Sequence, residues 1–323
     1  MKSPNIIFMG TPDFAVASLG ALLINGFNVA AVATSPDKPA GRGRKITKSA
    51  VKEFAEFNKL KVLQPESLRD QTFIDELTSL KPDVFVVVAF RMLPKEVWKI
   101  PSVGTFNLHA SLLPQYRGAA PINHAIINGE TVTGLTTFFI DDKIDTGNIL
   151  LRQEVPVFSF ENAGDLHDRL KKEGALLVIR TLNELIEKRI KPRSQHEFLK
   201  AGEILKPAPK ISPEFCIIDW NKDAVAIHNF IRGLAPYPCA KIFLAGATQS
   251  LSLKIFESCP EITDHSSVPG TFFSDGKNIL KVACKNGFVK ISNLQPEGKK
   301  RMTTAEFLRG IKIFNHGIHG LHG

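Results

Sequence analysis

The longest apolar run of the 323-residue chain, Val84 to Phe90, has the length of a β-strand. An unbroken run of this kind predicts a strand, Asp83 to Ala89, that is buried on both faces near the middle of a sheet. Strand-like runs alternate with amphipathic stretches from Asn5 to about residue 190. The alternation predicts an α/β domain, a Rossmann-like and mostly parallel sheet with helices on both faces. The other predicted strands are Asn5–Met9, Phe27–Ala33, Lys61–Leu63, Val103–His109 and Leu135–Ile140, and the predicted helices are Phe14–Ile24, Lys48–Asn58, Asp70–Leu80, Ile122–Asn128 and Ala163–Lys188.

A proline-rich segment divides the chain. Residues 191–213 hold four prolines among lysines and small residues, a composition typical of a semi-rigid connector. Beyond it, short β-like runs are separated by Gly, Pro and Ser turns, which favours a small OB-like β-barrel. We therefore predict a first domain over residues 1–190, a linker over 191–213 and a C-terminal barrel over 214–323.

Composition excludes several classes of protein. No apolar stretch approaches the ~20 residues of a membrane helix, and the N-terminus has no signal-peptide core, so a cytoplasmic protein without a membrane partner is predicted. The four cysteines lie in the last third without C-x-x-C spacing, which predicts reduced thiols and no metal site. The net charge of +9 is compatible with a polyanionic partner, although many enzymes without one are equally basic.

The turn after the first strand argues against a dinucleotide cofactor. It contains Gly10, Thr11 and Pro12 and lacks the G-x-G-x-x-G glycines, and Pro12 stands where backbone amides would cradle a pyrophosphate. A Rossmann-like domain without a nucleotide is favoured over a dehydrogenase.

Two polar side chains fall on one face of the predicted strand 103–109. Asn107 and His109 are two residues apart near its carboxyl end, where open α/β sheets place their sites. An amide beside an imidazole can stabilise an oxyanion and move a proton during acyl transfer. Asp145, in the turn after the next strong strand, could reach back and orient His109. The alternatives are a capped strand end and a self-capped acidic turn, of which the second suits Asp141 and Asp142 better than Asp145.

The residues between and around these positions resemble the sequence motifs of a known protein family. The run Asn107-x-His109-x-Ser-Leu-Leu-Pro-x-Tyr-Arg-Gly118 and the turn Asp145-Thr-Gly resemble the folate-dependent formyltransferases. The resemblance implies that Asn107, His109 and Asp145 are catalytic and that 10-formyl-tetrahydrofolate is the co-substrate, with no metal. It also implies that the folate site is lined by Ser111, Leu112, Leu113 and Pro114. The chain departs from the usual Ala-Tyr-Gly at Ala89-Phe90-Arg91, next to the expected pterin pocket, where Arg91 would point to solvent or cover the pocket.

The acceptor is predicted from other segments. A basic, turn-rich loop from Ser35 to Lys45 resembles the loop of the tRNA-specific members, and Ile218-Asp219-Trp220 and Ile231–Pro238 resemble their C-terminal barrel. The resemblance implies initiator methionyl-tRNA as the partner, beside reduced folate. A small-molecule or sugar formyltransferase, a formate-releasing hydrolase and a non-catalytic RNA-binding protein remain alternatives. The candidate tRNA-binding residues are Lys38, Arg42, Arg44, Lys45, Lys206, Lys210 and Arg232, with the run Lys299-Lys300-Arg301.

Overall fold

The computed structural model describes residues 4–40, 45–244 and 251–310. Two compact units interleave along the chain. The first consists of Met1–Gly118, Val132–Pro156 and His167–Pro207, and the second of Ala119–Thr131, Val157–Leu166 and Ala208–Gly323. The predicted domain bounds are continuous ranges, and the division into catalytic domain, linker and tRNA-binding domain stays a prediction.

The first unit is built on a seven-stranded sheet of order β5-β2-β1-β6-β7-β8-β9. The five strands from β5 to β7 are parallel, and β8 and β9 join antiparallel at one edge. The strands are β1 Asn5–Gly10, β2 Asn28–Ala33, β3 Lys38–Ala40, β4 Lys45–Thr47, β5 Val62–Leu63, β6 Val84–Val88, β7 Gly104–His109, β8 Val132–Phe139 and β9 Ile149–Pro156, with β3 and β4 paired separately. Every residue of β6 is buried, as its composition predicted. The mostly parallel α/β sheet is thereby confirmed.

Helices cover this sheet on both faces. They are α1 Asp13–Ile24, α2 Ala50–Phe57, α3 Gln71–Ser79, α4 Lys95–Trp98 and α6 Ala163–Ile186, whose residues up to Leu166 fall in the second unit. The helix α5 Pro121–Ile127 belongs to the second unit. Phe73 of α3 and Val97 of α4 pack with Phe85 and Val87 on one face. On the other face α6 comes so close to Leu108 that a Cβ on Gly174 would lie 2.8 Å from its side chain. Each predicted strand and helix is present with small differences at the ends, whereas β9, α4 and the β3–β4 pair were not predicted.

The second unit is an antiparallel sheet with a helix packed on it. Its elements are α7 Ala224–Leu234, β10 Ala240–Leu244, β11 Leu251–Ile262, β12 Phe272–Ser274, β13 Leu280–Cys284, β14 Gly287–Pro296, β15 Met302–Thr303 and α8 Thr304–Gly310. The strand order is β10-β11-β14-β13-β12, and β15 pairs with β14. Ile227 and Ile231 of α7 enter one core with Leu253, Ile255 and Val289 of the sheet. The predicted C-terminal β-domain is confirmed as an antiparallel sheet, and its closure into an OB-like barrel stays a prediction.

No helix within the described ranges is both long and apolar enough to cross a membrane.

Candidate active site

Strand β7 places Asn107 and His109 on one face at its carboxyl end. Asn107 pairs with Phe138 and His109 with Thr136 on the antiparallel strand β8. The Oδ1 atom of Asn107 is buried and has no hydrogen-bond partner among the described residues. A buried amide atom without a partner costs free energy unless a ligand completes its bonding, so this atom marks a place for a polar substrate group.

The imidazole of His109 lies between two oxygens. Its Nε2 is 2.9 Å from the carbonyl oxygen of Tyr116, and its Nδ1 is 3.8 Å from Oδ2 of Asp145. A carbonyl oxygen can only accept, so Nε2 carries a hydrogen. The Nδ1 edge faces the carboxylate of Asp145, whose side chain is only 14% exposed.

The turn after β8 fixes the position of Asp145. Its φ is +55°, in the left-handed region that Asp tolerates better than most residues. Oδ2 of Asp145 accepts a hydrogen bond of 2.9 Å from the backbone N–H of Gly118, and its carbonyl accepts one of 2.9 Å from Nε2 of Gln195. The structure therefore brings together the three residues predicted to be catalytic, and their roles stay predictions.

Gln195 is a functional candidate that the sequence did not indicate. Its side chain is buried, its Nε2 also donates to the carbonyl of Gly147, and its Oε1 accepts from both Nε and one terminal nitrogen of Arg117. The residue thus ties the loop after β7 to the turn that carries Asp145. Gln195 stands in the proline-rich segment, and its contact with Asp145, 50 residues away, has no local signal in the sequence.

The four predicted folate-site residues lie in the loop after β7. Ser111 donates from its hydroxyl to the carbonyl of Gln115 at 2.6 Å, and the Leu113 side chain is fully buried against Phe138 and Ile149. Pro114 is buried, while Leu112 is only partly buried. Contact between Ser111 or Leu113 and a folate would therefore come mainly from backbone atoms, and the assignment stays a prediction.

A pocket of about 410 Å³ opens beside the departure from the usual Ala-Tyr-Gly sequence. It is lined by residues 66–69 after β5 and by residues 91–94 after β6. The Arg91 guanidinium lines this pocket and donates to the carbonyls of Pro65 and Glu66 at 2.8 and 3.0 Å. Burial lowers the pKa of Arg91, whose guanidinium also lies 5.3 Å from the ring of Phe90. Arg91 is thus fixed at the pocket wall by two backbone carbonyls.

The residues predicted to bind tRNA are distributed over both units. Lys38 and Lys206 are exposed in the first unit, and Lys210 is exposed in the second. Arg232 donates to Asn229 and to the carbonyls of Phe158 and Glu161, and burial lowers its pKa. Arg42, Arg44 and the side chain of Lys45 lie outside the described residues.

In the part of the chain that the structure describes, no three His, Cys, Asp or Glu side chains converge as metal ligands. The expectation of a metal-free reaction stays a prediction.

Comparison with known proteins shows the same two parts. Residues 4–182 match the formyl transferase family, and residues 210–312 match the formyl transferase C-terminal domain. The methionyl-tRNA formyltransferase of Flavobacterium johnsoniae is 52% identical over 311 residues, 96% of this chain and 97% of that protein. The protein of the same name from Bacteroides fragilis is 50% identical over 309 residues, 95% of each chain.

A solved structure shares the fold. The N-formyltransferase from Helicobacter canadensis, solved with folinic acid and dTDP-3-aminofucose, aligns with a TM-score of 0.63 at 22% identity. The alignment covers 92% of this chain and 99% of that one. At this level of identity the likeness concerns the fold alone.

Proposed function

Because the chain belongs to the methionyl-tRNA formyltransferase family, we propose that it transfers the formyl group of 10-formyl-tetrahydrofolate to the amine of initiator methionyl-tRNA. The observation that carries the proposal is the convergence of Asn107, His109 and Asp145 at the end of β7, with an unpaired buried amide atom among them. An amide, an imidazole and a carboxylate form a set that suits acyl transfer to an amine. An enzyme that acts on aminoacyl-tRNA works where translation takes place, which favours the cytoplasm.

The donor is proposed as a reduced folate on two grounds. The family is that of the formyl transferases, and the similar N-formyltransferase from Helicobacter canadensis was solved with folinic acid. The pocket beside Arg91 and Leu93 has room for a bicyclic ring, and its wall offers polar backbone groups and a guanidinium. The residues present fit a folate as substrate.

In the proposed reaction the amine attacks the formyl carbon, and the negative charge that develops on the formyl oxygen needs donors. Nδ2 of Asn107 supplies one donor from a half-buried side chain, where such an interaction is stronger than in water. The Nε2–H of His109 supplies a second, provided that it releases or shares the Tyr116 carbonyl that it now contacts at 2.9 Å. Substrate binding at this face therefore competes with the loop after β7 for one hydrogen bond.

Asp145 acts through His109. Its carboxylate stabilises a protonated ring and receives the proton of the attacking amine through a water molecule. The departing folate nitrogen must gain a proton, and His109 or a water relayed from it is the donor. The bond formed joins the formyl carbon to the acceptor nitrogen, and the bond broken joined that carbon to the folate nitrogen. One proton passes from the acceptor nitrogen to the folate nitrogen.

The direct test is transfer of labelled formyl from 10-formyl-tetrahydrofolate to charged initiator methionyl-tRNA. Uncharged tRNA, glycinamide ribonucleotide and water serve as parallel acceptors. Selective labelling of the aminoacyl-tRNA supports the proposal, whereas transfer only to a small molecule or to water contradicts the assigned acceptor.

Two alanine variants test the assigned chemistry. His109→Ala and Asn107→Ala are expected to lose turnover and to keep tRNA binding, with His167→Ala as the matched control. His167 is a histidine of the same unit whose Nδ1 contacts Asp168 at 3.1 Å, away from β7. Near-normal turnover of either the His109 or the Asn107 variant would contradict the proposed mechanism.

The loop that carries Arg42 gives a test of the acceptor. Arg42→Ala is expected to weaken tRNA binding, to lower its salt dependence and to leave folate binding intact, because a loop arginine acts on phosphates or stem bases. Unchanged binding over a salt series would contradict that role.

A further inference from the structure

The site face of the sheet extends from His109 across β8 to β9. Thr136 pairs with His109 on one side and with Arg152 on the other, so the three residues form one cross-strand row. Directly opposed residues in a sheet project from the same face. With strands about 4.8 Å apart, the backbone of Arg152 lies roughly 10 Å from that of His109.

Arg152 shares an aromatic ring with a second arginine. Its guanidinium lies 4.7 Å from the centroid of Phe198, and that of Arg193 lies 4.4 Å from the same centroid. Phe198 is held in place because it packs against Leu113 and Phe138, at the end of a 3₁₀ turn. The ring thus brings two positive charges together on a rigid support.

The charge of Arg152 is poorly compensated. Its Nε is buried without a hydrogen-bond partner in the described ranges, and burial, the largest cause, lowers its pKa, with a further contribution from Arg193. Glu154 and Glu203 act on it only through space, and Glu203 is held by Gln115 and by the backbone N–H of Lys200. Arg193 is paired through its Nε with Glu197 at 2.9 Å, so of these two guanidiniums it is Arg152 that has an unpaired buried donor. An anion beside the ring would complete the bonding of Arg152 and accept from the terminal nitrogens of Arg193.

We propose that Arg152 and Arg193, gathered on the ring of Phe198, bind a backbone phosphate near the 3′ end of the acceptor tRNA. The inference rests on the proposed function, since it assumes that the acceptor is a tRNA. Paired arginines suit phosphate because each guanidinium offers several N–H donors in a fixed plane.

Strand order assigns the anion to the acceptor rather than to the folate donor. The pocket beside Arg91 lies at the ends of β5 and β6, whereas Arg152 lies on β9, and His109 on β7 stands between them. A donor in that pocket would approach His109 from one side, and the acceptor would arrive from the side of β9. An acceptor that places its terminal amine at His109 brings phosphates of its single-stranded end past Arg152.

The experiment compares full-length wild type with Arg152→Gln and Arg193→Gln. Affinity for labelled initiator methionyl-tRNA is measured over a salt series, with folinic acid affinity and thermal melting in parallel. Arg180→Gln is the matched control, since this arginine is 64% exposed and, like Arg193, is paired with a glutamate four residues on, but it lies on α6 and not at the ring of Phe198. The control is expected to bind tRNA within about twofold of wild type.

Arg152→Gln is expected to raise the Kd for tRNA about tenfold and to reduce the salt slope by about one, with folate affinity unchanged. Arg193→Gln is expected to shift the Kd and the salt slope in the same direction. The Arg193 side chain is 54% exposed, so this variant should fold, and it tests the proposal by itself if Arg152→Gln fails to fold. Unchanged tRNA binding in the folded variants overturns the proposal, as does loss of folate affinity with tRNA binding kept. A wild type that binds tRNA but formylates only other acceptors refutes the proposed function instead.

Discussion

Replacement of Asp145 by asparagine isolates the charge that faces His109. Asn has the same shape, tolerates the φ of +55°, and can still accept the N–H of Gly118 through its side-chain oxygen. Nδ1 and Oδ2 are 3.8 Å apart and the carboxylate is only 14% exposed, so the substitution removes a negative charge that water screens weakly. A positioned proton-transfer group contributes about 10²- to 10⁴-fold to a rate, which predicts a fall in kcat of about 10³-fold.

The assay is single-turnover formyl transfer with saturating folate and charged tRNA, accompanied by thermal melting and by Kd measurements for both substrates. Asp142→Asn serves as the matched control, because Asp142 lies in the same turn but is 63% exposed and forms an ion pair with Lys95 at 3.5 Å. The control is expected to remain within about twofold of wild type. Asp145→Asn with a rate within about tenfold of wild type would refute an electrostatic role for this carboxylate.

Three further outcomes are expected. Gly147→Ala should lower the free energy of unfolding by at least about 3 kcal/mol, because a Cβ there collides with a backbone oxygen of β8. Gly20→Ala is the control, since a Cβ there lies 3.4 Å from a ring atom of Phe54, and equal melting temperatures of the two variants would contradict the prediction. Gln195→Ala should reduce kcat and destabilise the fold by about 2 kcal/mol, since one buried and one partly buried carbonyl lose their donor. Normal turnover would count against its positioning role. Burial raises the pKa of Cys239 to about 11, and of the four cysteines Cys259 is exposed while the other three are buried. Ellman's reagent at pH 8 should therefore modify only Cys259 in the native protein and all four cysteines after unfolding. Rapid labelling of Cys239 would contradict the structure.

The core of the first unit could be predicted from local pattern. The apolar run of β6 and the two-residue spacing of Asn107 and His109 are short-range features. The first predicts directly that β6 is buried, and the second that the two side chains project from the same face of β7. Strand direction is not a local property. The antiparallel addition of β8 and β9 follows from which edges pair, and β9 was missed because Arg152 and its neighbours interrupt the apolar alternation at the sheet edge.

The site was predictable only as far as its motifs extend. Asp145 could be assigned because it stands in the Asp-Thr-Gly turn after the next strong strand, while Gln195 and Phe198 come from a segment that looked like a connector. Gln195 and Phe198 are three residues apart on a 3₁₀ turn, a spacing that eclipses side chains. That turn is capped by Ser194 and Glu197, a signal that the proline content of the segment outweighed.

Backbone strain in the first unit is concentrated around the same site. Ala89, Tyr116 and Asp145 have φ values of +47°, +59° and +55°, and each costs of order 1 kcal/mol or more relative to ordinary backbone. Other non-glycine residues of this unit with positive φ follow helix ends, where the left-handed conformation is a common cap: Lys59, Lys81 and Lys188. The three strained residues have no such local reason. Ala89 lies between β6 and the residues that line the 410 Å³ pocket, Tyr116 bears the carbonyl that His109 contacts, and Asp145 bears the carboxylate 3.8 Å from the ring of His109. The fold therefore maintains unfavourable backbone at and beside the residues proposed to be catalytic.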